Sequence, residues 1–156
     1  MKNPFRFLLH IPVPWVFVLN YLLGIPLERI HPRVISPQAA HDSTIAGALL
    51  FAIGAVIAGW GLILFRTART TTVPGRSSAQ LVTSGPYRFT RNPMYVGLSL
   101  AYLGEAGLLH QMWPAILLPL TIAYVNWTVI PLEESRLEEV FQDQYRQYRS
   151  RVRRWI

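Results

Sequence analysis

The sequence predicts an all-α integral membrane protein of about four transmembrane helices, followed by a C-terminal cytoplasmic amphipathic helix. Three observations predict it. Hydrophobic residues make up 51% of the 156-residue chain and charged residues only 15%, a balance unsuited to a soluble domain. The run Ile45 to Phe65 carries no charge and is long enough to cross a hydrocarbon core about 30 Å thick, which needs about 20 helical residues. The Lys and Arg residues fall in blocks that alternate along the chain between rich and poor, the pattern of short loops on opposite sides of a bilayer.

The elements follow in order. Lys2 and Arg6 precede an apolar stretch punctuated by Pro12, Pro14 and Pro26 with no small-x-small cleavage site, so the N-terminus is expected to be a retained anchor rather than a signal peptide. The first span is expected over Ile11 to Leu27, with Asn20 as its strongly polar interior residue. The second is Ile45 to Phe65. The third and fourth, Met94 to Leu109 and Met112 to Pro131, are separated only by His110 and Gln111 and must form a tight helical hairpin. Counting Lys and Arg gives two at the N-terminus, two in the first loop, five in the second, none in the hairpin turn and six in the tail, so four spans with both termini cytoplasmic place thirteen of fifteen inside. Small residues recur at helical spacing: Gly54 with Ala58 and Ala55 with Gly59, then Gly97 with Ala101 and Gly104. These are expected to be packing faces, because small side chains let backbones approach closely in lipid. Beyond Pro131, Leu137, Phe141, Tyr145, Tyr148, Val152 and Trp155 recur every three or four residues among Arg and Glu. This is the pattern of an amphipathic helix lying along the cytoplasmic membrane surface.

The formal net charge of +7 is assigned to anionic lipid head groups rather than to nucleic acid, since it accompanies long apolar runs. Cysteine is absent, which excludes disulfides, thiolate metal sites and cysteine nucleophiles. The histidines, His10, His31, His41 and His110, are widely separated and make no metal-ligand pair at helical spacing. Glu105 is an intramembrane carboxylate, but ten residues of helix beyond Tyr95 carry it about 15 Å toward the outer face, so a local hydrogen-bonded or interfacial role is expected. The non-catalytic alternative is a small transporter or assembly factor with a basic amphipathic tail; a small exporter would place an ionisable residue mid-span, which Glu105 fits poorly.

Two clusters remain for chemistry. Leu81 to Gly97 reads LVTSGPYRFTRNPMYVG; Gly85-Pro86 specifies a turn and Pro93 suits the first turn of a helix. Tyr87, Arg88, Arg91, Asn92 and Tyr95 therefore crowd one helix entrance, whose free N–H groups and positive dipole end favour an anionic group. Glu133 and Glu134 directly follow the fourth span at the same face. Two adjacent carboxylates there call for a cation, either Arg91 or Arg88 across the hairpin or a cationic ligand.

LVTSGPYRFTRNPMYVG, followed by EESRL and FQDQYRQYRSRVRRWI, resembles the isoprenylcysteine carboxyl methyltransferase and phospholipid methyltransferase superfamily over roughly residues 70–156. The resemblance implies a single membrane methyltransferase domain, residues 1–69 forming a two-span scaffold and 70–156 a cofactor-binding core, in an integral membrane enzyme of the bacterial inner-membrane type. It implies S-adenosylmethionine as cofactor and a lipophilic or small amphiphilic acceptor. Carried over residue by residue, the cofactor site comprises Gln80, Leu81, Val82, Tyr87, Asn92, Pro93, Met94, Tyr95 and Glu133, with Thr72 also within reach. Arg91 and Glu134 are the catalytic candidates, Glu134 as base where the acceptor is an amine or hydroxyl. Three positions depart from the pattern. Asn92 replaces a common His before Pro93, and Phe141-Gln142 replaces a common Phe-Gly, read as a local matter of the helix. Val129 stands where carboxyl methyltransferases carry an acceptor-binding arginine, which disfavours a prenylcysteine carboxyl and leaves Asn126 and Trp127 as the groups to orient an acceptor.

Overall fold

The computed structural model describes residues 12–32, 35–67 and 80–156. Within them the chain forms five α-helices, α1 (Val13–Ile30), α2 (Pro37–Thr67), α3 (Pro93–Leu108), α4 (Met112–Tyr124) and α5 (Ile130–Arg151), with a 3₁₀ turn at Gly85–Arg88 and a π-helical segment at Val125–Val129. Three helices are long and apolar enough to cross a membrane: α1, α2, and the continuous helix that starts at Met112. The third expected span, α3, is 16 residues long.

The packing is that of a membrane protein turned outward. Helix α2 exposes Ile45, Leu49, Ile53, Val56, Trp60 and Ile63, whereas its buried positions are Gly47, Gly54 and Gly61. These glycines repeat every seven residues, so they line one stripe against α3. Gly97 lies so close that a Cβ there would sit 2.5 Å from the Ala58 nitrogen, and Gly54 and Gly104 similarly meet the facing backbone at Ala101 and Phe51. The expected Gly54–Ala58 and Gly97–Ala101–Gly104 faces thus form one antiparallel interface. Ser43 Oγ closes its far end by donating to Gly107 O at 2.9 Å. Gly59 does not take part, since a methyl group at that position would meet no other atom within 4 Å.

Helices α1 and α4 form a second antiparallel pair. Gly24 admits Pro114 at contact distance, and Asn20 Nδ2 donates to Leu117 O at 2.9 Å and to Tyr102 Oη at 3.3 Å. These bonds give the polar residue of the first span partners in the low-dielectric interior, where an unpaired amide would be costly. The Glu28 carboxylate accepts the Trp113 N–H at 2.9 Å, which places an acid at the positive end of α4. The α3–α4 hairpin turns at His110, whose φ is 55°, and His110 Nε2 lies 3.0 Å from Thr44 Oγ1 on α2.

The C-terminal segment differs from the expected surface helix. Gln142 has φ 43° and ψ −117° inside α5, which breaks the helical path and turns the chain back. The stripe of Leu137 to Trp155 is therefore not one continuous face. Instead Tyr145 is 1% exposed, and the last residues leave the helix at Val152 (φ −117°, ψ 132°) to pair with Thr90 in an isolated parallel bridge at Arg153. The Gln-for-Gly departure sits at the reversal itself, and so is not a local helix matter.

Candidate active site

The two polar clusters meet where the C-terminal end of α2, the start of α3 and the start of α5 converge. Gly85, at φ 59°, opens the 3₁₀ turn in a backbone region that only glycine occupies freely, and a Cβ there would press on Leu64 and Trp60 of α2. The turn delivers Tyr87 to the interior, 6% exposed. Its hydroxyl reaches the space above Gly61 beside Met94 and Pro93 and has no hydrogen-bond partner among the described residues. Asn92 then caps α3, with Pro93 at the first helical position.

Within the first turn of α3, Tyr95 donates its hydroxyl to Glu133 Oε1 at 2.7 Å. Glu133 Oε2 accepts no hydrogen bond from the described residues. Glu134 lies between two guanidinium groups: Arg91 Nη2 is 2.7 Å from Oε1 and Arg154 Nη2 is 2.6 Å from Oε2. The adjacent acids are consequently unlike. Burial, the larger influence, pushes the Glu133 carboxyl above the ordinary carboxylate range, Glu134 adds to this, and the Tyr95 bond and the Arg136 charge oppose it. For Glu134 burial also acts upward, but the hydrogen bonds and charges of Arg154 and Arg91 outweigh it and hold the carboxyl below the usual range. The two adjacent acids thus have opposed environments, Glu134 held ionised by its arginines and Glu133 shifted toward the neutral form. A carboxylate held by two arginines is weakly basic, which bears on the expectation that Glu134 removes a proton. The Tyr87 phenol is pushed up to about 12 by burial and by the charge of Glu133, so it is a neutral donor.

The C-terminal tail closes over this cluster. Arg91 donates its backbone N–H to Arg153 O at 2.9 Å and Nη1 to Arg149 O and Val152 O at 3.0 and 2.7 Å. Thr90 Oγ1 and Asn92 Nδ2 both donate to Arg154 O, at 3.0 and 2.9 Å, and Tyr148 Oη donates to Tyr87 O at 2.8 Å. Trp155 Nε1 donates to Asn126 Oδ1 at 2.9 Å, so the tail reaches back to the π-helical segment.

Of the residues singled out by sequence, the structure brings together Tyr87, Arg91, Asn92, Pro93, Met94, Tyr95, Glu133 and Glu134. Gln80 is exposed, and Leu81 and Val82 are half-buried on the approach to the turn. Thr72 lies outside the described residues. Trp127 is 75% exposed. Val129 packs against the apolar core. Arg88, offered as an alternative partner for the acids, is exposed, and Arg154 takes that place. The sequence held one signal for Arg154, an acid pair that calls for a cation, but the reversal that brings residue 154 back is invisible without the φ of Gln142. A depression lined by Ile30, His31, Pro32 and Trp113 lies at the opposite end of the bundle.

The chain is 38% identical over 72 residues to the Protein-S-isoprenylcysteine O-methyltransferase of Schizosaccharomyces pombe, a match covering 46% of this chain and 30% of that protein. The chain thus aligns with less than a third of the length of that curated relative. No solved structure matches it. The family model for Phospholipid methyltransferase matches residues 43–144, from the second helix through the acid pair and past the reversal. The chain belongs to the phospholipid methyltransferase family.

Proposed function

We propose that the protein is a membrane enzyme that transfers a methyl group from S-adenosylmethionine to a lipophilic or small amphiphilic acceptor at the cytoplasmic face of the bilayer. The observation that carries the proposal is the Tyr95–Glu133 pair at the mouth of α3, next to the partnerless hydroxyl of Tyr87. A half-buried carboxylate with one open oxygen, a buried phenol with no partner and the positive end of α3 suit a zwitterionic, cationic-sulfonium ligand. Glu133, Tyr87, Tyr95, Asn92, Pro93 and Met94 are the residues that would hold it, with Gln80, Leu81, Val82 and Thr72 completing the approach. When bound, S-adenosylmethionine supplies an electrophilic methyl on sulfur.

The work left to the protein is alignment and exclusion of water, which accounts for several kcal/mol. Glu133 offers a negative charge, and the Tyr87 and Tyr95 rings offer π faces to a cation. Glu134 and Arg91 fix the α3 entrance relative to α5 and transfer no proton. On the acceptor side Val129 leaves no guanidinium, which favours acceptors other than a prenylcysteine carboxyl. Asn126 is the remaining polar group: its Oδ1 is engaged by the indole N–H, which is donor-only, so its amide presents N–H donors. In this reading the chain crosses four times with both termini cytoplasmic, so that a soluble cofactor enters the mouth from water and the acceptor from lipid, an orientation the arginine distribution supports.

The test is calorimetric binding of S-adenosylhomocysteine to the folded protein in detergent. Saturable binding is expected, reduced by at least about tenfold in Glu133→Ala, the scale expected for losing a hydrogen-bonded charge. Absence of binding at millimolar ligand to folded protein would overturn the reading.

A further inference from the structure

The segment Arg149–Arg154 is bonded to the α3 entrance through its backbone carbonyls. Thr90, Arg91 and Asn92 all bond to carbonyls between Arg149 and Arg154. Arg154 contributes twice: its carbonyl accepts from Thr90 and Asn92, and its guanidinium grips Glu134 at 2.6 Å. Trp155 Nε1 fastens the end of the tail to Asn126. Glu134 is 7% exposed, and a buried carboxylate stripped of one of two partners is destabilised far more than an exposed one.

We propose that Val152–Trp155 is a strap that sets the affinity of the cofactor mouth, with Arg154 as its positioning residue acting through Glu134 and Asn92 on the neighbouring Tyr95–Glu133 pair. The proposal deepens the S-adenosylmethionine reading and rests on it. Arg154 touches no ligand. With the strap in place, Glu134 stays an anion and Arg91 stays against the tail carbonyls, so Asn92 starts α3 at the register that sets Tyr95 against Glu133. Without it, Arg91 alone faces Glu134 and the turn at 90–92 loses its backbone partners. The charged and titratable groups facing Glu134 are Arg91 from the α3 entrance, Arg154 from the strap, Tyr145 from the returning half of α5, and Glu133 beside it. Removing Arg154 takes away one of the two cations that hold Glu134 ionised, so the pH at which Glu134 protonates rises.

The experiment measures S-adenosylhomocysteine affinity against pH, and hydrogen exchange of the peptide spanning Arg91 and Asn92 without ligand, in the wild-type full chain, Arg154→Ala, Arg154→Lys and Arg154→Ala/Glu134→Gln. Arg154→Ala is expected to weaken binding by about tenfold at neutral pH, the loss predicted for one charge-assisted contact. It is also expected to move the acid limb of binding to higher pH and to speed exchange at Arg91 and Asn92. Arg154→Lys, which keeps the charge, should recover most of the affinity and restore the acid limb, and it carries the test if the alanine variant does not fold. In the Glu134→Gln background Arg154→Ala should add less than about twofold, because coupled residues do not add. Unchanged affinity and exchange in Arg154→Ala, or an equal loss with and without Glu134, overturns the strap. If the wild type itself fails to bind, the functional reading falls, while the exchange of the Arg91–Asn92 peptide still decides whether Arg154 holds the turn.

Discussion

Gln142 occupies a backbone conformation, φ 43° and ψ −117°, close to that of the first central residue of a type II′ turn, where glycine dominates. Holding a glutamine there costs of order 1–3 kcal/mol. Its side chain is exposed, so little packing is lost by removing it. Gln142→Gly is therefore expected to raise stability by about 1 kcal/mol, read as an increased thermal midpoint in detergent, whereas Gln142→Ala retains the strain and leaves the midpoint near the wild type. An equal effect of both would mean that the reversal does not store strain. The Tyr95 hydroxyl is a second place where one atom decides. It lowers the proton affinity of Glu133 against the dominant effect of burial. On the proposed reading Glu133 must be ionised to meet the ligand's α-ammonium group, which S-adenosylhomocysteine retains, so binding is lost as pH falls through its raised pKa. Tyr95→Phe removes the lowering bond, raises that pKa further and shifts the acid limb of S-adenosylhomocysteine binding to higher pH, with an affinity loss of several-fold at neutral pH, about 1 kcal/mol for one hydrogen bond. A pH profile that superimposes on the wild type would separate Tyr95 from Glu133.

The α2–α3 interface explains why a small membrane protein can hold a polar mouth rigidly. Glycines at Gly47, Gly54, Gly97 and Gly104 bring two backbones into contact over the length of α3, and the mouth is built on the end of that contact, at Gly61, Pro93 and Met94. A methyl at Gly97 would lie 2.5 Å from the Ala58 nitrogen, so Gly97→Ala must separate the helices and is expected to destabilise by about 1–3 kcal/mol. Gly59→Ala, on open surface, should be neutral or stabilising by up to about 1 kcal/mol through helix propensity. Thermal midpoints of the pair test the interface, and similar values for both would disprove it. These glycines also mark how far the sequence can be read. Gly54–Ala58 and Gly97–Ala101 announce a close face because helical spacing alone puts such residues in a row. Gly59 shares the spacing but not the face, since spacing does not say which stripe meets a partner. The hairpin at His110 is legible from two polar residues between apolar runs. The course of the tail is not, because its apolar period continues through Gln142, and periodicity carries no trace of a single positive φ.

The geometry of α3 bears on how many times the chain crosses the bilayer. At 1.5 Å per residue its 16 residues span about 24 Å, somewhat short of a hydrocarbon core of about 30 Å. Yet α3 runs antiparallel to α2 from Gly61 beside Met94 to Gly47 beside Leu108, and α2 is long enough to cross. On the four-span proposal, α3 is carried across with α2, to which it is bound along its length. The exposed apolar residues of α2 and of α4, such as Ile53, Val56, Ile116 and Leu120, then face the same lipid. The arginines support one orientation, since the tail holds six and the hairpin turn none. Because the chain has no cysteine, a single introduced thiol reports its side without background. Leu109→Cys, exposed at the hairpin turn, is expected to react with a membrane-impermeant maleimide in intact spheroplasts. Gln144→Cys, exposed beyond the reversal, should react only after permeabilisation. Labelling of both thiols in intact spheroplasts would remove the four-span arrangement, and labelling of Gln144→Cys alone would invert it and put the acid pair on the side where no cytoplasmic cofactor can reach it.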